Sequence, residues 1–339
     1  MKFKRILFNK KIDLLCVGNA LVDVYAQADE QFIARHGLAQ PVQHIEIAKL
    51  EKILSELSGF TTVSGGGAAN VAKIAGLLGA KVSFTGAIGN DKFGRLFEKS
   101  LAASGVKLHL SKKSSPTGIC LVLRDMAGET HIAASPSAAL ELSESDIGVE
   151  ELQKARVVLI DGFMLDKSAL VSHILSIAGR NGSISTAAID LSSPGIAREY
   201  AAEIAEYAKQ FPLILFMNEA ETEAFCDGLK SVTQESLFEN NSDFPIIVVK
   251  LEQNGALCYS GGKIIRAETQ AVTPVDATGA GDAFCAGFLA AWAKSKTLRE
   301  CATLGNMTAR TVLGAEGSQA DKKALKTLKG LLKKKNGPD

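Results

Sequence analysis

One short stretch of the sequence, residues 275–288, joins a glycine-bearing loop to the start of an apolar helix. Gly279 and Gly281 allow a tight turn and a close approach of the backbone to a ligand. The amides of Ala280, Gly281 and Asp282 fall in the first helical turn, where N–H groups have no partner within the helix. Such helix ends attract anions. The carboxylate of Asp282, held beside this anion hole, is suited to act as a base.

The chemistry that this pairing favours is the transfer of a phosphoryl group to an alcohol. Catalysis of that reaction consists mainly of positioning and charge stabilisation, with one group accepting the proton of the hydroxyl. Asp282 is the candidate base, and the amides of Gly279, Ala280 and Gly281 are the candidate anion hole. The same residues can also form an ordinary capped helix in which Asp282 only complements the helix dipole. The loop alone leaves both interpretations open.

Two segments resemble the signatures of the PfkB, or ribokinase-like, family of sugar and nucleoside kinases. Residues 276–284, Asp-Ala-Thr-Gly-Ala-Gly-Asp-Ala-Phe, resemble the second signature, with Ala277 where the family usually has Thr. Residues 65–70, Gly-Gly-Gly-Ala-Ala-Asn, together with residues 86–94, resemble the first signature. Both signatures stand in the order and at the separation typical of the family, and the resemblance extends over most of the chain.

The resemblance implies a ribokinase-like α/β fold, in which a doubly wound, mostly parallel sheet carries a small β-rich lid. Apolar runs that alternate with helical patterns agree with such a sheet. We predict a large catalytic domain from residues 1–20, 47–107 and 135–339, and a lid from residues 21–46 and 108–134. The predicted lid contains a helix over residues 28–38 and a hairpin turning at residues 125–128, and its helix resembles the lid of adenosine kinase-like members.

The resemblance also implies a set of acceptor-binding residues at the carboxyl ends of the strands, where open α/β sheets form their ligand crevice. They are Asp23, Gly66, Asn70, Gln43 and Phe163. The glycine turn that contains Gly66 lacks the Lys-Ser/Thr of a P-loop and the glycine spacing of a dinucleotide site. Phe163 matches a position where adenosine kinases cover the nucleobase with an aromatic ring; filling the core is its alternative role.

The residues that the resemblance assigns to the nucleotide are Asn218, Lys250, Gly255, Thr278 and Asn306. Asn218 and Glu221 form an Asn-x-x-Glu motif that in this family organises Mg²⁺ and phosphates through water, in keeping with the oxygen ligands that magnesium prefers. Such a pair also commonly caps helices. Glu252 stands where the family usually has glycine, so the identity of the donor is open. A requirement for a monovalent cation near Asp276 and Thr278 is open too.

Composition limits the remaining function classes. A chain of 339 residues with 46% hydrophobic residues can bury a large core, and a net charge of +1 provides no basic field for nucleic acid. The six cysteines and five histidines show no paired spacing typical of a zinc site or a disulfide framework. No apolar run reaches the roughly 18 residues of a membrane span. We therefore predict a cytoplasmic protein with no membrane or nucleic-acid partner, monomeric as the helix in the lid implies, with a dimer left open.

Together, the residues and the resemblance predict an ATP-dependent phosphotransferase that uses Mg²⁺ to phosphorylate a primary hydroxyl of a sugar or a nucleoside. The choice between these two acceptors is left open. A second class is a catalytically silent regulator that binds a sugar or nucleoside on the same fold; the presence of Asp282, Asn218 and Glu221 argues against it. A dehydrogenase is disfavoured because no dinucleotide fingerprint follows Gly18.

Overall fold

A computed structural model describes residues 11–40, 42–179, 186–230, 232–239, 246–314 and 320–333. The predicted domain ranges also include residues outside these, namely residues 1–10, Pro41 in the lid, and residues 180–185, 231, 240–245, 315–319 and 334–339. Within the described residues, none of the helices is both long enough and apolar enough to cross a membrane.

The strands are β1 (Ile12–Val17), β2 (Leu21–Gln27), β3 (Val42–His44), β4 (Thr61–Gly65), β5 (Val82–Gly89), β6 (Lys107–Lys113), β7 (Thr117–Arg124), β8 (Thr130–Ser137), β9 (Ala155–Asp161), β10 (Thr186–Asp190), β11 (Leu213–Asn218), β12 (Ile246–Lys250), β13 (Ala256–Ser260) and β14 (Lys263–Ala267). The α-helices are α1 (Glu30–His36), α2 (Ile47–Glu56), α3 (Gly67–Leu77), α4 (Lys92–Ala102), α5 (Val149–Lys154), α6 (Ser168–Gly179), α7 (Pro194–Glu199), α8 (Ala201–Gln210), α9 (Glu219–Leu229), α10 (Gln234–Glu239), α11 (Ala280–Ala293), α12 (Leu298–Ala309) and α13 (Lys322–Lys333).

Among the described residues, the larger sheet has nine strands in the order β14-β13-β12-β11-β10-β9-β1-β5-β6. Its strands pair in parallel from β6 to β12, and β13 and β14 add an antiparallel edge. Successive residues of β1 face different cores, with Leu14 and Cys16 in one apolar cluster and Leu15 and Val17 in the other. A core on each face of a mostly parallel sheet is the doubly wound arrangement, so the predicted fold class is confirmed.

The smaller sheet has five strands in the order β3-β8-β7-β2-β4. Its β7–β8 hairpin is antiparallel, as the turn at residues 125–128 predicted. The predicted helix is present as α1, where Asp29 accepts a hydrogen bond from the amide of Phe32 and Gly37 ends the helix with a φ of +64°. Both local signals therefore act as the sequence indicated.

Two strands belong to sheets other than those the predicted ranges gave them. Strand β4, placed outside the lid, pairs antiparallel with β2 in the smaller sheet. Strand β6, largely placed in the lid, continues the parallel register of β5 at the edge of the larger sheet. Both differences have one cause: the sheet to which a strand belongs is set by the strand with which it pairs, and this pairing is not visible in the strand's own sequence. The division of the chain into two domains stays a prediction.

Candidate active site

Neighbouring parallel strands of the larger sheet end in a row of polar residues. β9 ends at Asp161, β10 at Asp190, β11 at Asn218 and β12 at Lys250. The strand register places Asp161 beside Asp190 and Asn218 beside Lys250. Because open α/β sheets bind ligands at the carboxyl ends of their strands, this row forms the floor of the candidate site.

Helix α11 begins above this floor. Gly279 precedes it with a φ of +78°, a left-handed conformation that favours glycine. The amide of Ala280 donates to the carbonyl of Ala277 at 3.1 Å, so one member of the predicted anion hole is already bonded. The amides of Gly281 and Asp282 donate to no other described residue. These two N–H groups, at the positive end of the helix dipole, can receive an anion.

Asp282 makes a hydrogen bond that joins the two signatures. Nδ2 of Asn70 donates to its Oδ2 at 2.9 Å across 212 residues of sequence. Burial raises the pKa of Asp282 to about 7; the Asn70 hydrogen bond opposes the rise, the carboxylates of Asp190 and Asp161 add to it, and Lys250 opposes it. A carboxyl group that titrates near neutral pH is well matched to general-base catalysis.

The glycine turn between β4 and α3 lies among the acidic side chains of the site. Gly66 has a φ of +96°, which residues other than glycine rarely adopt. A Cβ atom added to Gly65 would lie 2.0 Å from Oδ1 of Asp23, and one added to Gly67 would lie 3.5 Å from Oδ1 of Asp282. The turn therefore brings the predicted acceptor-binding residue Asp23 and the predicted base to the same place.

The ammonium group of Lys250 lies beside the candidate anion hole. Its Nζ lies 2.8 Å from Oδ1 of Asp190 and 3.4 Å from the position of a Cβ added to Gly281. Cys285 donates its thiol to Oδ2 of the same aspartate at 3.2 Å. Burial alone lowers the pKa of Lys250, but the neighbouring carboxylate of Asp190 holds it above its ordinary value. The ammonium group therefore stays charged beside the first turn of α11.

Lys73 also belongs to the site, although the sequence reasoning assigned it no role. It lies on α3 one turn after Asn70, and its Nζ is 3.4 Å from both O and Oγ of Ser64. Burial lowers the pKa of Lys73, whereas the charges of Asp23 and Asp282 raise it. Burial raises the pKa of Asp23 to about 6, and Lys73 opposes this rise. Lys73 therefore balances the charge of both acids. The sequence signal that could have identified it is its position three residues after Asn70, which places both side chains on one face of the helix.

Asp161 is a second site residue that sequence reasoning left without a role. It is buried, and its carboxylate accepts hydrogen bonds from the amides of Ala68 at 3.2 Å and Phe163 at 3.1 Å. Burial raises its pKa. Asp161 therefore links the start of α3 to the segment that carries Phe163. Its position at the end of an apolar strand was the available signal.

Phe163 is the second residue of the short 3₁₀ segment Gly162–Lys167 and does not fill the core. Its side chain is 41% exposed, so the alternative role as core filler is wrong. An exposed aromatic ring whose backbone is held by a buried acid at the crevice is available to stack on a planar ligand.

Asn218 and Glu221 cap helix α9. Oδ1 of Asn218 accepts from the amide of Glu221, and Oε2 of Glu221 accepts from the amide of Asn218, both at 2.8 Å. Glu221 is buried, which raises its pKa, while nearby Lys250 lowers it and Asp190 raises it further. The capping role that the motif left open is therefore present. Carboxylate oxygens at the crevice fit a magnesium ion that retains its waters.

Gly255 and Asn306 contact each other and the backbone of β14. Nδ2 of Asn306 donates to the carbonyl of Ala267 at 2.8 Å, and a Cβ added to Gly255 would lie 2.1 Å from that same oxygen. Glu252 is exposed and has a φ of +49°, a conformation that explains why glycine suits this position. Nucleotide contacts of Gly255 and Asn306 stay predictions.

Gln43 and Thr278 also have internal hydrogen bonds. Nε2 of Gln43 donates to the carbonyl of Gly37 at 3.1 Å, which ties β3 to the end of α1. The amide and Oγ1 of Thr278 donate to Oδ1 of Asp276 at 2.8 and 2.7 Å, which orders the loop before α11. Their contacts to acceptor, nucleotide or cation likewise stay predictions.

Comparison with known proteins agrees with this geometry. Residues 12–325 match the pfkB family of carbohydrate kinases. Adenosine kinase 2 of Arabidopsis thaliana is 28% identical over 330 residues, covering 90% of this chain and 94% of the relative. A 5-dehydro-2-deoxygluconokinase of Clostridium perfringens is 24% identical over 306 residues, covering 84% of this chain and 88% of the relative. The structure of adenosine kinase from Sinorhizobium meliloti is similar with a TM-score of 0.83 at 25% identity, covering 95% of this chain and 99% of that one.

Proposed function

This chain belongs to the pfkB family of carbohydrate kinases, and from that premise we propose that its acceptor is a nucleoside of the adenosine type. Its membership and its relatives make it a kinase that phosphorylates a nucleoside or a sugar. The finer assignment concerns which of these classes enters the crevice, and which residues act on it.

The observation that carries the proposal is the exposed ring of Phe163. A nucleoside differs from a free sugar by a planar base, and a base gains from stacking on an aromatic face. Phe163 is 41% exposed, and the buried carboxylate of Asp161 holds its amide. The same carboxylate reaches the amide of Ala68 at the start of α3, so the backbone of Phe163 is tied to the glycine turn that approaches the predicted base. A free sugar would leave this ring without a partner.

In the proposed reaction, Asp282 accepts the proton of the primary hydroxyl while the hydroxyl oxygen attacks the γ-phosphorus of ATP. A new phosphorus–oxygen bond forms, the bond to the β-phosphate oxygen breaks, and ADP leaves. The free amides of Gly281 and Asp282 and the ammonium of Lys250 would stabilise the charge on the transferred group. Asn70 would keep the Asp282 carboxylate oriented toward the hydroxyl.

The acceptor would be held from the lid side of the crevice. Asp23 would bind hydroxyls of the ribose, and the tight turn at Gly66 would let the backbone approach the ring. Closure of the smaller sheet over the site would exclude water that could otherwise hydrolyse ATP. Gln43, which joins β3 to the end of α1, would contribute at the rim of this cover.

Magnesium would be held near Glu221 and Asn218 through water, where it would neutralise phosphate charge when bound. The direct hydrogen bonds of these two residues to each other's amides favour an indirect contact. Thr278, Gly255 and Asn306 are the further predicted nucleotide contacts, and a monovalent cation near Asp276 stays a prediction.

The test is a measurement of ADP release with ATP and magnesium across adenosine, other nucleosides, ribose and fructose. We expect turnover with a purine nucleoside and little with the free sugars. Replacement of Phe163 by Ala should raise the KM for the nucleoside by about threefold to tenfold, the loss of one stacking contact. Phe60→Ala is the matched control, because Phe60 is similarly exposed at 38% but precedes the far end of β4. Turnover of a free sugar in preference to every nucleoside would refute the proposal.

A further inference from the structure

Tyr25 carries a buried hydroxyl group that has no hydrogen-bond partner among the described residues. The residue lies on β2 of the smaller sheet, two positions after Asp23. Because side chains alternate along a strand, Tyr25 and Asp23 lie on the same face of that sheet. This is the face from which Asp23 approaches the glycine turn of the active site.

Tyr25 lies among polar and charged groups on the acceptor side of the smaller sheet. Strand register sets Cys120 of β7 beside Asp23. Burial raises the pKa of Tyr25, and the charges of Asp23, Cys120 and Asp276 raise it further. Asp276 belongs to the loop before α11, so the phenol stays neutral in a field set by the acceptor carboxylate and by the loop that leads to the anion hole.

A buried hydroxyl without a partner destabilises the free protein, because it has lost its hydrogen bonds to water and gained none. A ligand that supplies a hydrogen-bond partner reverses this loss when it binds. We propose that the hydroxyl of Tyr25 hydrogen-bonds the sugar ring of the bound acceptor, which makes Tyr25 a specificity-determining residue of the acceptor site. This inference rests on the proposed function, since it takes the ligand beside Asp23 to be the phosphoryl acceptor.

The test is the variant Tyr25→Phe, which removes the hydroxyl and keeps the ring. Its dissociation constant for adenosine, measured by calorimetry without nucleotide, should rise by about threefold to tenfold. Its melting temperature without ligand should stay level or rise by about 2 °C, because an unpaired buried group has been removed. A residue that serves only the fold would not produce this combination of weaker binding and undiminished stability.

Tyr207→Phe is the matched control. The hydroxyl of Tyr207 lies within hydrogen-bonding reach of Glu203 on α8 and of the carbonyl of Ser168 on α6, and neither residue was assigned to the candidate site. Its removal should lower the melting temperature and leave the dissociation constant unchanged, the reverse of the result expected for Tyr25.

Two results would overturn the inference. One is an adenosine dissociation constant for Tyr25→Phe within twofold of the unmodified enzyme, and the other is a melting temperature that falls as it does for Tyr207→Phe. Failure of the proposed function looks different, because the unmodified enzyme would then turn over a free sugar in place of adenosine. In that case the same comparison is made with that sugar, and the role of Tyr25 is tested independently of the base.

Discussion

Two glycine turns open two helices that meet at the active site, and they use glycine for different reasons. In the turn before α3, a Cβ on Gly65 would overlap Asp23, and one on Gly66 would lie 2.2 Å from the carbonyl oxygen of Asn19. In the second turn, which we take to include the first residues of α11, a Cβ on Gly281 would lie 3.4 Å from Nζ of Lys250. The first turn is filled by the protein itself, whereas the second leaves space between backbone amides and a cation.

The difference separates positioning from binding. The closed turn packs against Asp23 and leads into the helix that carries Asn70, so its glycines serve packing in addition to the proposed approach of the backbone to the acceptor. The open turn presents the amides of Gly281 and Asp282 beside the ammonium of Lys250, which suits a transferring phosphoryl group. A glycine-rich sequence before a helix therefore does not by itself indicate which of the two roles the turn performs.

The largest effect is expected on stability, from Gly66→Ala in the closed turn. The positive φ of +96° and the close carbonyl of Asn19 together should reduce the free energy of unfolding by at least about 3 kcal/mol. Urea unfolding measures this loss. Gly128→Ala is the control, because Gly128 has a φ of +88° but no atom within 4 Å of an added Cβ. Equal losses in the two variants would show that the turn is not closely packed.

A smaller effect is expected from Gly281→Ala in the open turn. Its helical backbone accepts alanine, so the free energy of unfolding should change by less than about 1 kcal/mol. The added methyl group would occupy the space beside Lys250, and kcat/KM for ATP should fall by about tenfold. Steady-state kinetics measure this, with Gly330→Ala on α13 as a control with open surroundings. Unchanged kinetics would contradict the binding role of this turn.

The smallest effect is expected on the pH dependence of activity, from removing the positive charge of Lys73. Lys73→Met removes the cation that faces Asp23 and Asp282, which should raise the pKa of both acids and most clearly that of Asp23. In the proposed mechanism both carboxylates act in their ionised forms, so the acid limb of the pH profile of kcat/KM for the acceptor should move to higher pH. A pH–rate profile detects the shift, and Lys73→Arg should leave the limb in place. A uniform loss of rate with no shift would mean that Lys73 serves the fold alone.

The sequence allowed prediction of what is encoded locally. Asp29 and Gly37 mark the ends of α1, the turn at residues 125–128 marks a hairpin, and the apolar run of β1 indicates a strand buried on both faces. The two signatures also pointed to Asp282 and Asn70 separately. In each case the signal lies within a few residues of the feature that it predicts.

The contacts that assemble the site are not local, and this is why the rest could not be predicted. The bond between Asn70 and Asp282 spans 212 residues, and that between Cys285 and Asp190 spans 95. The apolar residues before Asp161 indicate that it ends a strand, but only the order of strands in the sheet places it beside Asp190. The sheet membership of β4 and β6 depends in the same way on their partners.

Asp282 is the proposed base, and the variant Asp282→Asn separates this role from a structural one. Because burial raises the pKa of Asp282 to about 7, kcat/KM of the unmodified enzyme should rise with pH through about 7 and then level off. Between pH 3.8 and 7 Asp282 is ionised in the unfolded chain but protonated in the folded protein, so the free energy of unfolding falls as the pH rises through this range. The Asn variant has no such loss and should melt at a higher temperature above pH 7.

The decisive measurement is the turnover of Asp282→Asn at pH 8 together with its dissociation constant for the acceptor. We expect turnover to fall by about a hundredfold or more, the dissociation constant to change little, and the pH dependence near 7 to disappear. Turnover equal to that of the unmodified enzyme, with the same rise through pH 7, would contradict the assignment of Asp282 as the base.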